Sequence, residues 1–410
     1  MSTAQQTNSK FKNVSTAIVK LTNSCNIRCD YCYENIVSKG SNMTSSVFQD
    51  LTEKMLVFSK RKQIQFILHG GEPTLLPVEW FEKNFNYVHK LAKHHGKKVQ
   101  LSIQTNLINI PDEKLKLFKK YNLSIGGSID NPDDLPETMR PLSRKALTTF
   151  LRAQELGIDI GILGNINYSN YQTMTRFCEW LYKTLKRNDV KINIAYPVGM
   201  GINILVPKAK SIFRAQKDLI DFMIKTKGKF IEHNIAEEIC RYFESFLGKE
   251  KRKKSICDNK RCGAGSTVIG VTTNGNILPC GRFRWDDQSN LLSTLKQTDE
   301  QEFFEKLDKF HNLEPQNWEH CDTCDAKSIC GYGCQAFIIR SKAKKNIECE
   351  PTKLKFKYFQ EKEDEILPVY KAILKRRKKR YISPLERKIN YLKKLLPEEN
   401  RKEILLSIIS

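Results

Sequence analysis

No apolar run in this chain of 410 residues reaches the roughly 18–20 positions that a membrane-crossing helix needs. A helical membrane protein is therefore not expected. Met1 to Asn13 is polar and lacks the apolar core of a secretory signal, so the expected compartment is the cytoplasm. No segment repeats with the period of a solenoid or propeller. Acidic residues are few beside basic ones, 46 against 69, for a formal net charge of +23. Such a balance suits nucleic acid, an anionic surface or an acidic partner, and equally a solvated lysine-rich surface. The basic runs Lys249–Lys254 and Lys375–Arg380 are not interleaved with the aromatics and glycines of an RNA-recognition module, so nucleic acid is not an expected partner. The hydrophobic fraction, 40%, is enough for an ordinary globular core.

Cysteine is abundant. The thirteen cysteines are clustered, and in a cytoplasmic chain clustered thiols favour metal over disulfides.

The pattern along residues 14–235 alternates strand and helix about six times. Strands are expected at 14–21, 65–68, 99–104, 124–129, 158–163 and 191–195. The helices between them are expected at 45–60, 78–94, 112–121, 144–156 and 171–185. This is the order of an α/β fold with a parallel sheet, a partial (β/α)6 TIM-like barrel. In such barrels chemistry gathers at the C-terminal ends of strands, and Cys25, Glu72, Asn106 and Asp130 each lie just past one. From about residue 250 the strands shorten and cysteines become dense. Thr273–Asn274–Gly275–Asn276 reads as a hairpin turn that puts Cys280 on the returning strand. Residues 353–380 read as one basic helix, followed by short amphipathic helices at 385–396 and 399–409. Four units are expected: a disordered 1–13, a barrel over 14–240, a cysteine-rich domain over 250–360 and a basic helical tail over 361–410.

Cys25-Asn26-Ile27-Arg28-Cys29-Asp30-Tyr31-Cys32 has the spacing C-x3-C-x2-C. Three thiolates on one loop can hold a cubane iron–sulfur cluster with one iron left open. A ferredoxin site normally has four, and a three-thiolate zinc site with an open position is the physical competitor. The motif, after a first strand and with Tyr31 beside the last cysteine, resembles the signature of the radical SAM superfamily. The resemblance implies that S-adenosylmethionine (SAM) chelates the open iron of a [4Fe–4S] cluster held by Cys25, Cys29 and Cys32. Reductive cleavage then gives a 5′-deoxyadenosyl radical that abstracts hydrogen from a substrate. Gly70-Gly71-Glu72-Pro73 resembles the GGE motif of the same family. Glycines allow close backbone approach to a ligand, and the glutamate is an acceptor suited to the SAM ammonium. By the same resemblance Thr105, Asn106 and Ser128 fall where ribose or carboxylate contacts are expected, and Arg140 or Arg144 would pair with the SAM carboxylate.

The later cysteines run Cys257-x4-Cys262-x12-Gly275-x4-Cys280, then Cys321-x2-Cys324-x5-Cys330-x3-Cys334, then Cys349. Eight thiolates serve two fully ligated [4Fe–4S] clusters or two zinc sites, and spacing does not choose between them. The pattern is identified as the SPASM signature of radical SAM enzymes that mostly modify ribosomally made peptides or proteins. That resemblance implies one auxiliary cluster on Cys257, Cys262, Cys280 and Cys334, and another on Cys321, Cys324, Cys330 and Cys349. Three clusters and SAM are then the expected cofactors. Cys178 and Cys240 fit no cluster and read as buried thiols.

Fully ligated auxiliary clusters favour an electron-accepting role, hence a net oxidation of the substrate. The leading expectation is oxidative cross-linking of a precursor peptide by an oxidoreductase fed by flavodoxin or ferredoxin. The second is anaerobic sulfatase maturation, in which a Cys or Ser becomes formylglycine. Many such maturases carry an aspartate after the cysteine corresponding to Cys280, whereas this chain has Gly281. The third is an electron carrier or binding protein without SAM turnover. Only thirteen residues precede the first strand, so no leader-binding domain is expected there. A separate leader-binding protein, or the basic tail from Lys371, would take its place. The tail's other reading is a helical clamp on the barrel through Ile373, Leu385, Leu392 and Leu396. Asp130 would orient substrate, and Tyr196 and Arg282 are assigned to the substrate pocket on position alone. His69, alone at a strand end, reads as structural.

Overall fold

Period-two alternation sorts each strand into a helix-facing and an inward row. In β1 (Thr16–Thr22) Ala17, Val19 and Leu21 are fully buried. In β2 (Gln63–Gly70) Phe66 packs on Phe48 of α1 (Ser45–Phe58), with ring centroids 5.9 Å apart. The alternate residue Ile18 faces the other way, where a side chain on Gly281 would meet it. The structure, a computed structural model, describes residues 9–34, 37, 39–132, 139–246, 262–312, 321, 323–330, 333–343 and 345–377.

The alternation continues through α2 (Val78–His94), β3 (Lys98–Thr105), α3 (Asp112–Lys120), β4 (Ser124–Ser128), α4 (Ser143–Glu155) and β5 (Ile160–Ile166). It ends with α5 (Met174–Lys183), β6 (Asp189–Ile194), α6 (Ala209–Lys225), β7 (Ile231–Glu232) and α7 (His233–Ser245). Strands β1 to β7 are parallel neighbours in chain order, in registers such as Thr16↔Gln65, Gln65↔Gln100, Ser102↔Ser124 and Ile125↔Ile160. This is the expected parallel α/β architecture. The helix expected from Tyr171 begins at Met174, because the Asn167 and Asn170 side chains accept from the amides of Ser169 and Asn167 and hold a turn there.

The cysteine-rich segment shares this sheet. β8 (Val268–Val271) lies parallel beside β1, with Thr16 opposite Val268, and continues through a hairpin into β9 (Asn276–Leu278) and then β10 (Ser293–Thr294). The expected barrel and cysteine-rich units are therefore one ten-stranded sheet. Cys280 lies just beyond β9 rather than on it. Helices α8 (Gln301–Asn312), α9 (Lys327–Cys330), α10 (Gln335–Ser341), α11 (Cys349–Glu361) and α12 (Glu363–Arg377) follow.

The single helix expected over 353–380 is two, breaking at Lys362. α11 and α12 pack on α6 and α7. Lys355 donates to both oxygens of buried Glu238 at 2.7 Å, and Tyr242 donates to Glu363 at 2.9 Å. Ile366, Val369, Tyr370 and Ile373 are buried, so this first part of the expected tail is a clamp on the barrel helices. Leu385, Leu392, Leu396, the run Lys249–Lys254 and Cys257 lie outside the described residues.

Candidate active site

The loop after β1 carries Cys25, Cys29 and Cys32, and it is tied from four directions. From β2, Gly71 N donates to Thr22 O (2.7 Å) and Glu72 N to Ser24 O (2.8 Å). From β3, the Asn106 amide reaches Asn26 Oδ1 (2.7 Å) and Cys25 Sγ (3.7 Å). Asp30 N donates to Met139 O at 2.9 Å. Beyond β6, Gly201 N donates to Cys32 O and Met200 N to Glu34 O. Gly199 (φ +66°) and Gly201 have no Cβ because one would lie 2.2 Å from Tyr33 O and 2.9 Å from Tyr31 Cα. Sequence reasoning missed this Gly-Met-Gly clamp, although two glycines one residue apart past a strand end were a visible sign of close backbone approach.

Gly70 and Gly71 serve that same approach. A Cβ would stand 2.3 Å from Thr22 O at Gly70 (φ +123°) and 2.1 Å from Ser24 O at Gly71. Their smallness lets the turn lie against the chain leading into Cys25. Glu72 is 1% exposed, and its carboxylate turns inward rather than outward to a ligand. Oε1 accepts from Thr74 N (2.9 Å), Thr74 Oγ1 (2.6 Å) and Thr105 Oγ1 (2.9 Å), and Oε2 from Asn106 N (2.7 Å). Burial pushes the Glu72 carboxyl up, against the pull of these four donors. Buried Lys114 props the turn from below, donating to Thr74 O and Leu76 O at 2.6 and 2.8 Å.

Arg140 and Arg144 separate cleanly. Arg140 Nε donates to Tyr31 OH (2.9 Å) and Asp130 Oδ2 (3.2 Å), with its guanidinium 5.5 Å from the Tyr31 ring centroid. Arg144 is exposed on α4. Asp130 is 1% exposed and accepts from Tyr31 OH, Arg140 and Asn165 N (3.0 Å). It ties the three-cysteine loop to β5. Tyr196 is likewise occupied: its ring stacks on Phe337 at 3.6 Å, and its hydroxyl meets Glu348 and Asn346. Arg282 lies over the same Phe337, with 4.6 Å between guanidinium and ring centroid. Ser128 Oγ accepts from Gln104 Nε2 at 3.1 Å on the inward face.

Facing the barrel interior is a group that no motif announced. Buried Lys20 pairs with buried Glu34 and also donates to Phe283 O, while Trp285 N donates to Glu34 at 3.3 Å. Together they floor a narrow cleft between the Gly70–Gly71 turn and Trp285. His69 precedes the Gly70–Gly71 turn. Its Nδ1 accepts from Gly70 N at 2.8 Å, so the neutral ring carries its proton on Nε2. Burial, then the nearby Lys20 and Arg282 cations, lower its pKa to about 4. An unfolded histidine takes up its proton near pH 6.5, earlier than this one, so stability falls as pH drops from about 6.5 towards 4, by up to roughly 3 kcal/mol. Urea unfolding of wild type and His69→Gln across that range checks it: the variant should show the shallower decline, and identical slopes would refute the assignment.

The thiols are strongly perturbed. Burial pushes Cys25 up, Cys29 to about 11 and Cys32 to about 12, so metal ligation there must displace protons. In the second region Cys321, Cys324, Cys330 and Cys349 together line one pocket between α9 and α11. Four thiols are the donor set of an iron–sulfur cubane. Among the described residues no three His, Cys, Asp or Glu side chains close around a single ion. Cys262, Cys280 and Cys334 pack against one small apolar cluster that includes Ala264, Val268 and Phe283. Cys178 and Cys240 are fully buried on α5 and α7.

Residues 19–181 match the Radical SAM superfamily. A cysteine-type anaerobic sulfatase-maturating enzyme of Clostridium perfringens (strain ATCC 13124) is 27% identical over 347 residues, covering 78% of this chain and 89% of that protein. Native anSMEcpe, solved with bound AdoMet and Cp18Cys peptide, superposes with a TM-score of 0.70 at 20% identity, over 87% of this chain and 99% of that one. Streptococcus suis SuiB bound to precursor peptide SuiA gives a TM-score of 0.55 at 15% identity, over 81% and 74%. At these identities the two structures speak for a shared fold.

Proposed function

We propose, for a chain that carries a radical SAM domain over residues 19–181, that it oxidises a ribosomally made peptide. The preferred outcome is a side-chain cross-link. The observation that carries the reading is the convergence of the Gly70–Glu72 turn and Asn106 on the three-cysteine loop. When bound, SAM and the iron–sulfur groups supply hydrogen abstraction and the removal of one further electron from the substrate. Cys25, Cys29 and Cys32 hold the first cluster. Cys257, Cys262, Cys280 and Cys334 hold the second, and Cys321, Cys324, Cys330 and Cys349 the third.

The chain's own residues do the positioning. Gly70 and Gly71 offer the recess beside the cluster loop, and Asn106 steadies Cys25. Asp130 and Arg140 fix Tyr31 between the last two cysteines of the loop. Tyr196 and Arg282 pack against the same ring, Phe337. A peptide substrate is supported by the anSMEcpe and SuiB structures, which hold Cp18Cys and SuiA. A flavodoxin or ferredoxin as electron donor, and the cytoplasm as compartment, belong to the same proposal. Among the described residues no helix is long and apolar enough to cross a membrane.

The likeness to sulfatase-maturating enzymes favours a second reading, formylglycine formation. Gly281 weighs against it. A Cβ there would lie 2.3 Å from Ile18 Cγ2, so the aspartate that many maturases carry at this position has no room. The test is mass spectrometry of peptides encoded beside the gene after incubation with reconstituted enzyme, SAM and reductant. A product lighter by two hydrogens supports cross-linking. Formylglycine in a sulfatase-derived peptide, with the neighbouring peptides unchanged, would replace it with the second reading.

A further inference from the structure

The parallel strands enter the sheet at the end opposite the three-cysteine loop, and the first three entries are basic. Lys12 precedes β1, Lys60, Arg61 and Lys62 precede β2, and Lys98 opens β3. The backbone sets them side by side: Lys60 N donates to Lys12 O and Lys98 N to Lys62 O, each at 2.9 Å. Adjacent strands lie about 4.8 Å apart, so these charges share one small face. All five residues are exposed.

Like charges gathered this way repel, and a fold usually relieves them by pairing. Further round the same end of the sheet it does. Lys120 pairs with Glu82 at 2.8 Å, and Arg187 with Asp159 and Asp189. Lys119 donates to Leu156 O at 2.8 Å and Arg376 to Asn188 O at 3.2 Å. Arg61 Nε donates to Asn13 O at 3.2 Å, but among the described residues the Lys12, Lys60, Lys62 and Lys98 side chains have no such partner. Segments 9–16, 59–65 and 93–100 contain no acidic residue, and neither do residues 1–8. The carboxylates that approach are taken, Glu300 by Ser9 and Lys10 and Asp50 by Lys54.

We propose that this face docks an acidic segment of the same precursor peptide that the barrel mouth modifies. The proposal rests on the peptide reading above. Carboxylates on the peptide supply the missing partners. Nucleic acid suits the face less. The three segments expose no Phe, Tyr or Trp on which a base could stack, and the face holds four lysines to one arginine. The face is also remote from the chemistry: β2, Gln63–Gly70, spans about 23 Å at about 3.3 Å per residue. An extended chain covers at most about 3.6 Å per residue. The acidic segment and the residue attacked are therefore at least about seven residues apart, and further where the path bends round the barrel. Docking there raises the effective concentration of the reactive part at the mouth.

The experiment is fluorescence anisotropy of a labelled oligoglutamate peptide on the full-length reconstituted holoenzyme. Wild type is compared with a variant carrying Lys12→Gln, Lys60→Gln, Lys62→Gln and Lys98→Gln. A second variant, with Lys39→Gln, Lys145→Gln, Lys208→Gln and Lys210→Gln, removes the same charge from exposed positions beyond the cysteine loop and at the starts of α4 and α6. Affinity should fall about tenfold in the first variant, the order that four screened charge pairs give, and stay at the wild-type value in the second. Wild-type affinity in the first variant, or an equal loss in both, would overturn the docking face. Duplex DNA or phosphatidylglycerol vesicles that bind wild type more tightly than oligoglutamate, and lose that affinity in the first variant alone, would overturn the peptide assignment. Anisotropy needs no turnover, so it can fail while the mass spectrometry above still finds oxidised peptide. Oligoglutamate binding kept, with no peptide oxidised, would instead remove the peptide reading and with it the identity of the docked segment.

Discussion

Gly71→Ala yields a folded protein that no longer holds iron at Cys25, Cys29 and Cys32. The added methyl would stand 2.1 Å from Ser24 O and 2.6 Å from Ser24 C, both backbone atoms with no rotamer to turn aside. Overpacking of this kind costs about 1–3 kcal/mol. The two hydrogen bonds that press the turn onto residues 22–24 are together worth about 1–3 kcal/mol, no more than the overpacking itself, and so do not hold the turn down against it. The turn therefore lifts rather than compresses, and Cys25 moves with it. The expected iron content falls from about twelve to about eight per chain, and 5′-deoxyadenosine formation is lost. Gly96→Ala is the control: a Cβ there meets nothing within 4 Å, and iron should stay at the wild-type level. Full iron in Gly71→Ala would show that the close approach is not required.

Glu72→Ala has the larger effect on stability. Removing the carboxylate leaves the Thr74 amide and hydroxyl, the Thr105 hydroxyl and the Asn106 amide without their acceptor in a buried place. Each orphaned donor costs about 1–3 kcal/mol, and although four such costs do not add fully, several kcal/mol are expected. Asn106 loses its anchor at the same time, so its contact with Cys25 Sγ goes too. Glu72→Gln keeps one carbonyl oxygen and should fall between. Calorimetry of the three proteins checks the order, and a wild-type unfolding temperature for the alanine variant would contradict it. A glutamate that only touched a bound ligand would leave the unliganded protein's stability nearly unchanged.

These two residues also show where the sequence is legible. Gly-Gly-Glu after a strand announces the site, but not which way the carboxylate points. That depends on Thr74, Thr105 and Asn106, brought together only when β2 and β3 pair. The strand–helix alternation could be read because each element buries one face, and α2 falls at the expected residues. The junction of β8 with β1 could not be read, because it joins residues some 250 apart (Thr16 and Val268) and neither short strand carries a mark of its partner. Nothing in the alternation of the first strand singles out Lys20. It is buried because Glu34 and Phe283 O, both distant in sequence, satisfy its ammonium. The family resemblance puts Arg144 near the SAM carboxylate, and position alone puts Tyr196 in the substrate pocket. Proximity does not fix direction: α4 turns Arg144 outward, and Phe337 covers Tyr196. The four cysteines that the SPASM resemblance groups together, Cys321, Cys324, Cys330 and Cys349, line one pocket where α9 packs on α11.

The central claim is that the Cys25–Cys32 loop supports radical SAM chemistry. The most direct measurement is 5′-deoxyadenosine production by the anaerobically reconstituted, dithionite-reduced protein, alongside Cys29→Ala. The account predicts product from the wild type and none above background from the variant. No product from wild-type protein with its iron fully loaded would contradict it, and would return the chain to an electron carrier or binding protein.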